Sequence, residues 1–94
     1  MRIKLNGKYY TLVRVHMPTK NGLCDHPNTP DKKIRVCTSL KNKPELEIVL
    51  HELLHAVDFT KDEEWVHTAA HDIAQVLWRL GYRKQPVDPS SSAG

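Results

Sequence analysis

The sequence has no apolar run approaching the roughly 20 residues that a membrane-spanning helix needs. Its opening, Met-Arg-Ile-Lys-Leu-Asn-Gly-Lys, lacks the apolar stretch of a secretory leader, so no membrane partner and a cytoplasmic location are expected. It has no internal repeat, which excludes stacked arrays. Aromatic bulk is scarce, with one Phe among 94 residues, and cysteine is limited to Cys24 and Cys37. With no leader, both are expected as free thiols. A chain this short folds around one thin core, too small for a doubly wound nucleotide-binding sheet or a closed barrel.

Charge and histidine are present instead. Charged residues make up 27% and hydrophobic residues 39%, the balance of a globular domain. The net charge of +3 conceals a split: residues 1–43 carry ten Lys/Arg against Asp25 and Asp31, or +8, and residues 44–94 carry four against nine acids, or −5. Such asymmetry sometimes marks a nucleic-acid partner, but the cations form no recognition motif, so a solvated surface is the simpler reading. Cys24-Asp25-His26 with Cys37 offers metal-ligating side chains without paired CxxC spacing; a turn and a buried strand thiol explain it as well.

Residues 2–5 and 8–16 read as two strands joined at Asn6-Gly7, a strong hairpin signal. In the second, Tyr10, Leu12 and Arg14 share one face. Pro18, Pro27, Pro30 and Gly22 mark 17–33 as a long loop. Residues 34–40 alternate as a third strand, with Ile34 and Val36 inward. Pro44 opens a helix to about Phe59 with Leu46, Val49, Leu50, Leu53, Leu54 and Val57 as its apolar stripe. A second helix runs from near Asp62 to Gly81 on Val66, Ala69, Ala70, Ile73, Val76, Leu77 and Leu80. The expected fold is α+β, a small antiparallel sheet of about three strands packed on two helices. One domain is expected over 1–85, with a disordered tail at 86–94.

The chemistry lies in His51-Glu52-Leu53-Leu54-His55. Residues four apart on a helix stack one turn apart on one side. Two imidazoles so placed reach one Zn²⁺ at about 2.0–2.1 Å. Glu52, about 100° round from His51, lies where it can take a proton from a metal-bound water. A shuffled chain of this composition would contain the motif about 2% of the time, so chance is a poor explanation. Zinc is therefore the expected cofactor, His51 and His55 two of its ligands and Glu52 the general base.

A catalytic zinc usually takes a third protein ligand. The position ten residues after His51 is Lys61, which disfavours a ligand there. Asp58 faces roughly as His51 does and suits a hydrogen-bond acceptor for an imidazole N–H. The second helix offers Glu63, Glu64, His67 and His71. At 100° per residue Glu63 lies about 75° from the centre of the apolar stripe, His67 about 115°, His71 about 155° and Glu64 nearly opposite. A metal between packed helices favours Glu63 at the stripe's edge, with Glu64 and His67 as alternatives. Thr60-Lys61-Asp62-Glu63 also reads as a capping box. A Cys24 thiolate could fill the open zinc position. His67, His71, Tyr9, Tyr10 and Tyr82 are candidates for stabilising an oxyanion.

HELLH followed by a short gap, Asp-Glu-Glu-Trp-Val and a closing Leu-Trp-Arg-Leu-Gly-Tyr resembles small zinc metallopeptidases encoded by phages and prophages. Gly22-Leu23-Cys24-Asp25-His26-Pro27 and Lys33-Ile34-Arg35-Val36 are similar to the same group, so the resemblance runs to about Tyr82. It implies a minimal gluzincin-like zincin with His51, His55 and Glu63 as ligands and Glu52 as base, in a bacterial cytoplasm; the resemblance names no substrate, and a peptide or protein is expected from the peptidase reading itself. It also implies an edge strand that holds extended substrate, for which residues 34–40 are the candidate. The alternative, from another class, is a non-catalytic zinc-stabilised module binding a host protein or nucleic acid. A closed fourth metal position, through Cys24 or His67, would favour it.

Overall fold

The computed structural model describes residues 1–84; the tail expected at 86–94 lies outside them. Four strands, β1 (Arg2–Leu5), β2 (Lys8–Val15), β3 (Gly22–Cys24) and β4 (Lys33–Cys37), precede two helices, α1 (Asn42–Val57) and α2 (Glu63–Arg79). The α+β class and both helices are as expected. The sheet has the order β1-β2-β4-β3 and is mixed: β1/β2 and β3/β4 are antiparallel, and β2/β4 are parallel.

Asn6 and Gly7 make the expected hairpin turn, both at positive φ. Asn6 Nδ2 donates to the Val57 carbonyl, 3.2 Å, tying the hairpin to the end of α1. β3 lies inside the segment read as a loop. It provides the return that lets β4 lie alongside β2 in the same direction. The Asp25 carboxylate accepts from the Lys33 N–H (3.0 Å) and the Arg35 guanidinium (2.9 Å), closing the β3–β4 connection. Burial works against ionisation of Asp25; these two donors outweigh it and hold the carboxyl below its ordinary range.

The sheet presents one face to α1. Tyr10 and Ile34 are buried with Ala56 of α1, and Ile3, Leu5, Leu12, Cys24 and Leu53 pack around them. Arg14 of β2 bridges to Glu45 of α1 at 3.0 Å. α1 thus lies between the sheet and α2, so its sides divide between two partners.

α2 begins at an N-cap, Asp62, whose carboxylate accepts from the Trp65 N–H at 2.7 Å. It ends in a Schellman turn: Gly81 has φ +93°, and Gly81 and Tyr82 donate to the Trp78 and Leu77 carbonyls. Its packed face differs from the apolar stripe. Val66, Ala70 and Ala74 are buried, while Ile73, Val76 and Leu80 remain exposed. The helix is turned about 60° toward Ala74 relative to the stripe's centre. Two alanines allow a closer approach to α1 than Ile73 or Val76 would.

Candidate metal centre

The α1–α2 seam carries a row of polar contacts along one side. Lys43 meets Gln75, Glu47 Oε1 lies 3.2 Å from His71 Nδ1, and the His51 and His67 rings are 6.2 Å apart edge to face. At its end, His51 Nε2 lies 2.6 Å from Glu63 Oε1 and His55 Nε2 lies 2.9 Å from Glu63 Oε2. The two Nε2 atoms are 3.2 Å apart. HELLH supplies the histidines at i and i+4 on one side of α1, and the antiparallel return of α2 brings its first residue back to them.

The turn of α2 toward Ala74 explains why Glu63 arrives there. Measured from the packed face, Glu63 is about 15–20° off centre rather than 75°. Glu64 lies on the outer side of α2 with Asp62, Trp65 and Thr68. The capping-box alternative does not form: Asp62 is the cap, and the Thr60 hydroxyl donates to Asp58 Oδ1. That contact, with the Thr60 N–H, also engages Asp58 at the end of α1 and holds its carboxyl low; it orients Thr60 rather than an imidazole.

His51, His55 and Glu63 are a donor set that could hold a metal ion, with one ligand atom from each within 4.8 Å of the others. A tetrahedral zinc with ligands at about 2.0–2.2 Å separates its donors by about 3.3 Å. The two imidazole nitrogens already stand at that separation. The carboxylate oxygens stand at hydrogen-bond distance from them, and Glu63, 72% exposed, has room for the small retreat required. Burial works against ionisation of Glu63, but the hydrogen bonds and charges of His51 and His55 prevail and hold its carboxyl below the ordinary value. The set therefore fits a zinc ion in number, softness and spacing.

Glu52 is the one charged side chain buried among the described residues, at 7% exposure. Burial pushes its carboxyl upward; His51 and Lys20 oppose this, and Glu63 adds to it. It lies under the edge strand. A Cβ on Gly22 would stand 2.9 Å from Glu52 Cγ and Oε2 and from Ile48 Cγ2. Gly22 is thus the residue that lets β3 cross over Glu52, a role that no sequence pattern announced. Gly22→Ala is expected to cost about 1–3 kcal/mol as overpacking and to displace the Glu52 carboxylate. A melting curve unchanged from wild type would refute this contact.

Of the other candidate residues, Cys24 lies near Glu52. Burial first, then Glu52 and Asp25, push its thiol up to about 12, so it remains protonated and outside the donor set. Asp25 is held by Lys33 and Arg35. His26 Nδ1 accepts from the Asn28 N–H (3.1 Å), and its ring packs on Phe59, which in turn approaches His55. Cys37 is buried at the end of β4, beside Ser39 and Met17. These residues are a turn and a strand thiol, not a gathered ligand set. Tyr10 is in the core, Tyr9 alternates to the opposite sheet face, and Tyr82 follows α2 beyond its far end. Of the five oxyanion candidates, His67 has its ring 6.2 Å from that of His51.

The edge expected at 34–40 is corrected. β4 is interior, between β2 and β3, and the edge beside α1 is β3. Pairing of Asn21 with Cys37 and of Asp25 with Lys33 sets the antiparallel alternation. It leaves the N–H and C=O of Gly22 and Cys24 directed to the outer side. No family model, curated protein or solved structure matches the chain.

Proposed function

We propose that the protein is a zinc-dependent peptidase whose ligands are His51, His55 and Glu63. The observation that carries this reading is the buried Glu52 next to a convergent His-His-Glu set, both beside a free strand edge. Zinc held by that set supplies Lewis-acid polarisation of a carbonyl and acidifies a water.

The chain's own residues do the rest. The outer edge of β3 pairs with a substrate backbone in extended form, using Gly22 and Cys24. Glu52 accepts the proton of the attacking water at a carboxylate oxygen, its basicity raised by burial, and returns it to the departing amine. His67, whose ring stands 6.2 Å from that of His51, donates to the carbonyl oxygen. The zinc-stabilised binding module needs a closed site. Among the described residues the convergent set has three members, with Cys24 and His67 outside it, which supports the peptidase over the module.

Metal removal tests the reading. Purified protein is expected to contain one zinc, to cleave an unstructured protein such as casein, and to stop when zinc is chelated. Binding to the native state alone adds about 2.7 kcal/mol at free metal a hundredfold above Kd. For a domain of this size, chelation should lower the melting temperature by on the order of 10 °C. Protein that loses its zinc yet keeps both its melting point and its hydrolysis would sink the proposal.

A further inference from the structure

We propose that a second copy of this chain docks on the exposed edge of α2, the two helices packing antiparallel about a twofold axis at Val76. The turn of α2 toward Ala74 leaves half of its apolar stripe without a partner. Ile73, Val76 and Leu80 are 40%, 57% and 69% exposed, and Tyr82 just beyond is 64% exposed. An apolar row of this extent on a small domain marks an interaction surface.

The charges beside the row identify the occupant. At 100° per residue Ile73, Val76 and Leu80 centre on one direction, and Asp72 and Arg79 lie together about 75–95° to one side of it. Neither forms an ion pair with another described residue. When two copies of a helix pack antiparallel, flanks of the same kind meet, and residue i faces a residue whose number completes a constant sum. With Val76 on the axis that sum is 152. Ile73 then faces Leu80 of the other copy (sum 153) and Asp72 faces Arg79 (151), each contact occurring twice.

One register therefore pairs the apolar residues and neutralises both charges. A parallel arrangement would set the Asp72/Arg79 flank of one copy against the opposite flank of the other, so neither charge would meet its opposite. Opposed helix dipoles add to the same preference. Glu63 lies about 110° round α2 from the row, so docking leaves the metal centre open. The surface is small, which places the dimer in the weak class below about 1,200 Å² of buried area.

Sedimentation of the zinc-loaded protein from micromolar to millimolar concentration tests this. Wild type is expected to pass reversibly from monomer to dimer. Asp72→Arg turns two attractive contacts repulsive and should raise the dimer dissociation constant about tenfold. Val76→Glu sets two carboxylates together on the axis and should raise it by roughly a hundredfold or more. The double variant Asp72→Arg with Arg79→Asp restores opposite charges and should recover most of the wild-type affinity. All three positions are exposed, so zinc content and melting point serve as controls for folding. A protein that stays monomeric throughout overturns the proposal. A dimer indifferent to Asp72→Arg, or one that the double exchange fails to restore, overturns this register.

Discussion

Glu52→Gln is expected to abolish peptide hydrolysis while the protein keeps its zinc and its fold. The amide matches the carboxylate in shape, so the space beneath Gly22 stays filled, but it cannot accept a proton. General-base catalysis contributes about 10²–10⁴-fold, so activity should fall at least into that range. Zinc content should be unchanged because Glu52 is not among the three convergent donors. Stability should hold or rise. Burial raises the folded-state pKa of Glu52, so over the interval between its unfolded and folded values the native apoprotein binds more protons than the unfolded chain. Its stability therefore falls as pH rises through that interval, and the neutral amide removes this dependence. Mass-spectrometric analysis of casein digests, with metal content and melting curves at two pH values, reads all three outcomes. Full activity in a zinc-loaded Glu52→Gln protein would show that another group is the base.

Much of this site was legible because it is local. His51, Glu52 and His55 lie within five residues of one helix, and helical geometry alone sets the two imidazoles side by side. The hairpin at Asn6-Gly7 and the Gly81 helix end were legible for the same reason: backbone conformations at positive φ favour particular residues. The alternation of Ile34 and Val36, and of Tyr10 and Leu12, marked the sheet face that packs on α1.

What escaped the sequence depends on partners. β3 has three residues and no alternation of its own; it is a strand because β4 offers an edge and Asp25 closes the connection. With 17–33 read as a loop, the sequence makes β4 an edge and the sheet antiparallel. The phase of α2 is not legible because its apolar residues span more of the helix than one neighbour can cover. Hydrophobicity points to Ile73, whereas packing chose Ala70 and Ala74, whose small side chains let the helices close. Gly22 carried no signal because its role is set by Glu52, 30 positions away.

That phase also decides the third ligand, and Glu63→Gln should be the most damaging change to metal affinity on α2. In the observed packing Glu63 faces α1 and reaches both imidazoles. Glu64 lies on the outer side, and His67 stands ring to ring with His51 without entering the donor set. Losing a group that only orients a ligand typically costs 10–100-fold in affinity. Losing one of three ligands should exceed that, so Glu63→Gln should weaken zinc binding more than about 100-fold. His67→Ala should fall at or below the 10–100-fold range, and Glu64→Gln should bind as wild type does. Asp62 already caps α2, so the loss cannot be attributed to a missing helix cap, and the melting point of the apoprotein should change little. Titration of zinc into each apo variant against a competing chelator ranks the three. If Glu63→Gln binds normally while Glu64→Gln or His67→Ala fails, the ligand is the failing residue, and α2 sits on α1 in a different phase from the one described.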